Sequence, residues 1–159
     1  MACITKTALC VFVLIGFTIT LGGLSPANAA KRKDCGSELK LAYKQFLRDL
    51  RINNFKTGAA SGSGKEAKRL TAYLKKTHKK IVKHEEAHKN AAGKWGGEIK
   101  YMYYTWWNIP YAVAGCHIPK KGIPLKVALK SLLAPDQPSK WDLESAEKIK
   151  TYIEKGYKR

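Results

Sequence analysis

His84-Glu85-Glu86-Ala87-His88 sets two imidazoles four residues apart, with a carboxylate directly after the first. On a helix, four residues make just over one turn, so His84 and His88 project from one face and can share a metal. Glu85 lies about 100° round the helix from His84, where its carboxylate can reach a metal-bound water without ligating the metal. This HExxH spacing is that of a hydrolytic zinc site. The metal lowers the pKa of its water, and Glu85 acts as general base while that water attacks a polarised carbonyl. The pattern therefore implies Zn2+ as cofactor, His84 and His88 as ligands and Glu85 as the catalytic group. Glu86 points elsewhere and reads as a solvated partner for lysines one turn away.

Catalytic zinc uses three protein ligands and leaves the fourth position for water, and spacing alone leaves the third ligand open. Asp142 and Glu144 open the last helix and come first; His117, at the end of a predicted strand, comes next. His78 is six residues before His84, which turns it about 240° away from the pair. Two histidines that continue an apolar stripe also fit an ordinary half-buried pair, hydrogen-bonded to backbone or to Tyr103 or Tyr111. Glu85 at the required offset, the glycine-rich exit at Gly93, Gly96 and Gly97, and the hairpin that follows favour a metal.

The elements that position these residues follow from periodicity. Leu39, Tyr43, Phe46 and Leu50 recur at helical spacing after Ser37, which predicts a first helix over about 38 to 52. Gly58 to Gly64 is a flexible connection, with too little chain before it for a separate core. Ser63-Gly64-Lys65-Glu66 has the form of a capping box opening a long helix. Its stripe runs Leu70, Leu74, Thr77, Ile81, His84 and His88, with most of the lysines between 75 and 83 on the wet side. The helix ends near Gly93. Aromatic and β-branched residues then predict two strands, about 98 to 106 and about 111 to 118, turning at Asn108-Ile109-Pro110. Pro124 opens a helix through Leu125, Leu129 and Leu132-Leu133, and Ser139 caps a last helix from Lys140 to about Lys155. The expected fold is α+β and mainly helical: a long HExxH helix packed with N- and C-terminal helices and a short β-hairpin.

Composition bears on compartment. The first thirty residues hold one charge, Lys6, then an apolar run from Ala8 to Leu24 and the A-x-A site Ala27-Asn28-Ala29. This reads as a secretory signal peptide over 1–29, with cleavage near Ala29 and one domain over 30–159; an uncleaved anchor is the competing reading. Cys3 and Cys10 leave with the signal. Cys35 and Cys116 remain as an even pair in an oxidising compartment, which predicts one disulfide in a secreted or periplasmic protein. The whole chain carries a formal charge of +18. An excess of this size attracts anionic polymer or membrane surface, and export makes nucleic acid the weaker partner.

Four stretches resemble one family. His84 through Gly93, Tyr101 through Tyr104, Tyr111-Ala112-Val113-Ala114-Gly115, and Leu133-Ala134-Pro135-Asp136-Gln137-Pro138-Ser139 followed by Asp142 are similar, in order, to the SprA-related family of bacterial metallopeptidases. The resemblance implies a zinc-dependent peptidase-like role, with His84, Glu85 and His88 matching the motif and Asp142 the later aspartate. The chain departs at Cys116, where the family pattern has an acidic residue after the glycine. The function expected is thus an exported zinc metallopeptidase acting on a peptide or cell-wall peptide bond. The strand at 98 to 106 would offer its edge to the substrate, and Tyr103, Tyr104 or Tyr111 would supply an oxyanion donor. A non-enzymatic cationic protein that binds anionic polymer or membrane is the alternative.

Overall fold

A computed structural model describes residues 35–55 and 64–157. The expected signal peptide and its cleavage point near Ala29 lie outside the described residues. Among the described residues, no helix is long and apolar enough to cross a membrane.

Among the described residues, four helices and one antiparallel hairpin make up the fold. Helix α1 (Cys35–Ile52) is amphipathic and buries Leu39, Phe46 and Leu50. It begins at Cys35, about three residues before the expected start near 38. Helix α2 (Lys65–Ala92) runs 28 residues and buries Leu70 and Leu74 near one end and Glu85, His88 and Ala92 near the other. Its N-cap is Gly64, at φ 90° and with no side-chain cap hydrogen bond; Ser63, the cap of the predicted box, lies outside the described residues. Gly93 ends α2 with a φ of 55° and leads through a 3₁₀ turn (Gly93–Trp95) to the hairpin.

Strands β1 (Glu98–Trp106) and β2 (Ile109–Ile118) pair from Glu98 opposite Ile118 to Trp106 opposite Ile109. The turn is the two-residue Trp107-Asn108, one position before the turn expected from Pro110. Both residues take positive φ, 54° and 58°, as tight hairpins require. Ile109 and Pro110 therefore belong to β2. A bulge between Met102 and Tyr103 leaves Val113 as the extra residue of β2. Helices α3 (Leu125–Leu132) and α4 (Lys140–Glu154) complete the chain.

The main core packs Phe46 and Leu50 of α1 with Leu70 and Leu74 of α2 and Trp106, Tyr111 and Val113 of the hairpin. Trp106 keeps its indole N–H satisfied by Thr71 Oγ1 at 3.2 Å. A smaller cluster of Leu39, Ala114 and Cys116 joins α1 to β2, and the Cys35–Cys116 disulfide ties the same two elements covalently. Leu132, Ala146 and Ile149 hold α3 on α4. These contacts clamp β2 between α1 and α2 and bring the start of α4 to the histidine end of α2.

Candidate metal centre

His84 Nε2 and His88 Nε2 stand 3.1 Å apart on α2. Asp142, from the first turn of α4, straddles them: its Oδ2 is 3.2 Å from His84 Nε2 and its Oδ1 3.3 Å from His88 Nε2. One ligand atom from each of the three lies within 4.8 Å of the other two. Ligand atoms about 2.0–2.1 Å from a tetrahedral zinc stand about 3.3–3.4 Å from one another, so the observed spacings suit such an ion with little rearrangement. Two imidazoles and one carboxylate form a donor set common to catalytic zinc and other divalent transition metals.

The surroundings aim these donors. His88 Nδ1 donates to the Ser131 carbonyl at 2.7 Å, which leaves Nε2 as the coordinating nitrogen. Ser131 returns the contact, its hydroxyl donating to the His88 carbonyl at 2.8 Å. Asp142 is held by a capping box: Ser139 N–H donates to Asp142 Oδ2 at 2.8 Å, and Asp142 N–H to Ser139 Oγ at 3.2 Å. The residues that start α4 thus also fix the carboxylate. Burial alone would raise the Asp142 pKa, but hydrogen bonds from His84, His88 and Ser139 outweigh it and hold the carboxyl well below the usual range. Burial would push His88 down, yet hydrogen bonds to Asp142 and the Ser131 carbonyl hold its imidazolium above the ordinary value. The metal-free cluster therefore keeps a proton where a cation would sit.

Glu85 is 5 % exposed and turns to β2. A Cβ at position 115 would come within 2.4 Å of Glu85 Cγ, so only glycine there lets the carboxylate lie against the strand. The His117 backbone N–H bonds that carboxylate. Burial raises the Glu85 pKa, with Asp142 adding to the rise, while His84, His88 and the His117 N–H oppose it. Glu85, His84, His88 and Asp142 all line one cavity of about 400 Å³, walled by Ala114 to His117 of β2 and by Trp141.

The other expected participants do not join the group of three possible ligands. His117 is buried and its ring stacks 6.1 Å from that of His88, but its Nε2 donates to the Gly96 carbonyl. Glu144 lies outside this cavity, 3.9 Å from Lys140 Nζ. Cys116 is bonded to Cys35, so its sulfur is no ligand. His78 Nδ1 accepts from the Ala112 N–H at 3.0 Å. None of the three tyrosines lines the cavity: Tyr104 packs 5.4 Å from Phe46, Tyr111 sits in the main core, and Tyr103 is half exposed. The cavity wall is β2, not the predicted strand edge at 98–106. The chain matches no protein-family model, no curated protein and no solved structure.

Proposed function

We propose that this chain is an exported zinc metallohydrolase, a peptidase acting on a peptide or cell-wall peptide bond. The observation that carries the reading is the convergence of His84, His88 and Asp142 at tetrahedral-edge distances, with Glu85 lining the same cavity. The resemblance of residues 84 to 142 to the SprA-related metallopeptidases and the N-terminal A-x-A signal point the same way.

His84 Nε2, His88 Nε2 and an Asp142 oxygen would hold the ion, and Ser131 and Ser139 keep them aimed. When bound, zinc polarises a carbonyl and brings the pKa of its water towards neutrality. Glu85 takes the proton of the attacking water on a carboxylate oxygen and passes it to the leaving amine. The His117 N–H and the gap at Gly115 set where that carboxylate stands.

Metal content of the purified protein tests the reading. Wild type and Glu85→Gln are expected to carry about one zinc per chain, and His88→Ala little, with peptide hydrolysis lost in both variants. Equal and negligible zinc in all three overturns it. A cationic binding role is the second reading, favoured by Lys75, Lys76, Lys79 and Lys80, which are all exposed on α2. An anionic-polymer or membrane partner would be shed steeply as salt rises, whereas a zinc site withstands salt and fails with chelator.

A further inference from the structure

The groove that holds the metal-binding side chains continues past Ala42 and Trp141, which also line a second pocket of about 420 Å³ between α1 and α4. The two ends differ in charge. Glu38, Glu85 and Asp142 line the metal end beside one cation, Lys80, while Lys44, Arg48 and Lys140 line the other. Glu144 is the one acid of the second pocket among the described residues, 3.9 Å from Lys140 Nζ, so two positive charges remain uncompensated within its lining. Lys44 and Arg48 are four residues apart and share a face of α1, where like charges repel and weaken the helix. The neighbouring Asp49 is engaged by Gln45 Nε2 at 2.9 Å. Leu41, half exposed, and Trp141 give the same pocket an apolar side.

We propose that this pocket is a subsite for a carboxylate of the substrate, which makes acidic peptides the class the chain takes. The net positive lining of the second pocket draws the anionic group of such a peptide to that end of the groove. Arg48 offers a fork that matches a carboxylate in two parallel hydrogen bonds, and Lys44 and Lys140 add charge. The carboxylate can belong to an Asp or Glu side chain or to a chain terminus. As a statement about turnover the inference rests on the peptidase reading; as a statement about binding it does not.

The test uses zinc-loaded full-length Glu85→Gln protein and fluorescein-labelled octapeptides of alanine and tyrosine. Each peptide carries Glu, Gln or Lys at one position, with a free or amidated C-terminus. Binding is read by anisotropy in Glu85→Gln alone, in Glu85→Gln with Lys44→Glu and Arg48→Glu, and in Glu85→Gln with Lys75→Glu and Lys76→Glu. The last pair makes the same change in net charge on exposed α2 positions outside the pocket. Glu peptides are expected to bind at least about ten-fold tighter than Gln peptides, a preference abolished by the Lys44/Arg48 reversal and kept within about two-fold by the Lys75/Lys76 reversal. A Glu-over-Gln preference assigns the carboxylate to a side chain; a loss of affinity on amidation that Glu and Gln peptides share, and that the Lys44/Arg48 reversal removes, assigns it to the terminus. Equal affinity for Glu and Gln peptides together with equal affinity for free and amidated termini, or equal loss in both reversals, overturns the subsite. Wild type that cleaves none of the peptides while the preference holds overturns the peptidase reading and leaves the subsite standing.

Discussion

The N-terminal half of α2 packs Leu70 and Leu74 among Phe46, Trp106, Tyr111 and Val113, whereas its C-terminal half buries Glu85 and His88. Both halves meet the same strand. At the apolar end, burial is non-directional and any well-fitting hydrocarbon contributes. At the polar end each group depends on particular partners: His88 on Ser131 and Asp142, Asp142 on Ser139 and the two histidines, Glu85 on the His117 N–H. Removing a partner there strands a buried polar group, which costs more than the lost bond returns. The first half of the helix anchors the fold, and the second gathers polar groups whose arrangement could hold a cation.

The largest effects should separate these ends cleanly. Leu74 is fully buried, and Leu74→Ala is expected to lower unfolding stability by about 2–5 kcal/mol in urea while zinc stoichiometry stays at wild-type level. His88→Ala is expected to do the reverse in kind, stripping the zinc while the metal-free protein still unfolds cooperatively. If Leu74→Ala also loses its zinc under folding conditions, the two ends are one cooperative unit and the contrast fails.

Gly115→Ala probes how the strand positions Glu85. The added methyl overlaps Glu85 Cγ, so the carboxylate must move or β2 must shift, at a cost of about 1–3 kcal/mol. Zinc should remain bound, because His84, His88 and Asp142 do not contact position 115 through their ligand atoms, while kcat for peptide hydrolysis drops about ten-fold or more. Unchanged kcat and stability would show that Glu85 has room the structure does not grant it.

Acidity offers a gentler lever on the polar end. Asp142 lies below its ordinary 3.8 in the folded state, so its contribution is present above that value and lost as pH falls through the folded pKa. His88 lies above 6.5, so its contribution is complete below 6.5 and fades as pH rises through the folded pKa. Glu85, raised above 4.5, acts in the same sense as His88. In EDTA the urea midpoint is therefore expected to fall over the interval that opens above pH 6.5. With excess zinc the stabilisation over the EDTA sample should grow across that interval, because the ion displaces the His88 proton. A midpoint in EDTA that climbs with pH would mean Asp142 does not hold His88 in its charged form.

Legibility followed the same division. Helical spacing at Leu39, Phe46, Leu50, Leu70 and Leu74 delimits α1 and α2 closely, since apolar periodicity is a local signal. The hairpin turn was missed by one residue because Trp107 carries none of the glycine or asparagine preference its positive φ would suggest. The tyrosines looked available for chemistry because a strand pattern does not reveal that Tyr104 meets Phe46 and Tyr111 enters the core. Asp142 was readable twice over, as the third residue after a Ser139 cap and as a carboxylate opening a helix. The fit of Glu85 against Gly115 had a signal too, since glycine inside a strand often marks close approach of another group. The second pocket had none: Lys44 and Arg48 of α1 and Lys140 of α4 come to line one pocket through tertiary structure alone.

The smallest effect is expected at Lys83, whose Nζ lies 2.6 Å from Asp136 Oδ2. The pair ties α2, one residue before His84, to the segment that leads to Ser139 and Asp142, and so has the look of a clamp on the site. Both side chains are more than two-thirds exposed, at 72 % and 79 %, so water screens the attraction and ordering two mobile side chains offsets most of what is left. Lys83→Ala should therefore leave the urea midpoint and the zinc affinity unchanged within error, at low and high salt alike. The Ser139–Asp142 box already holds the carboxylate by two hydrogen bonds internal to α4, independently of Asp136. A marked loss of zinc affinity in Lys83→Ala would instead put placement of the third ligand under control of a surface ion pair, and the polar end of α2 would owe its geometry to solvent-facing charge rather than to buried partners.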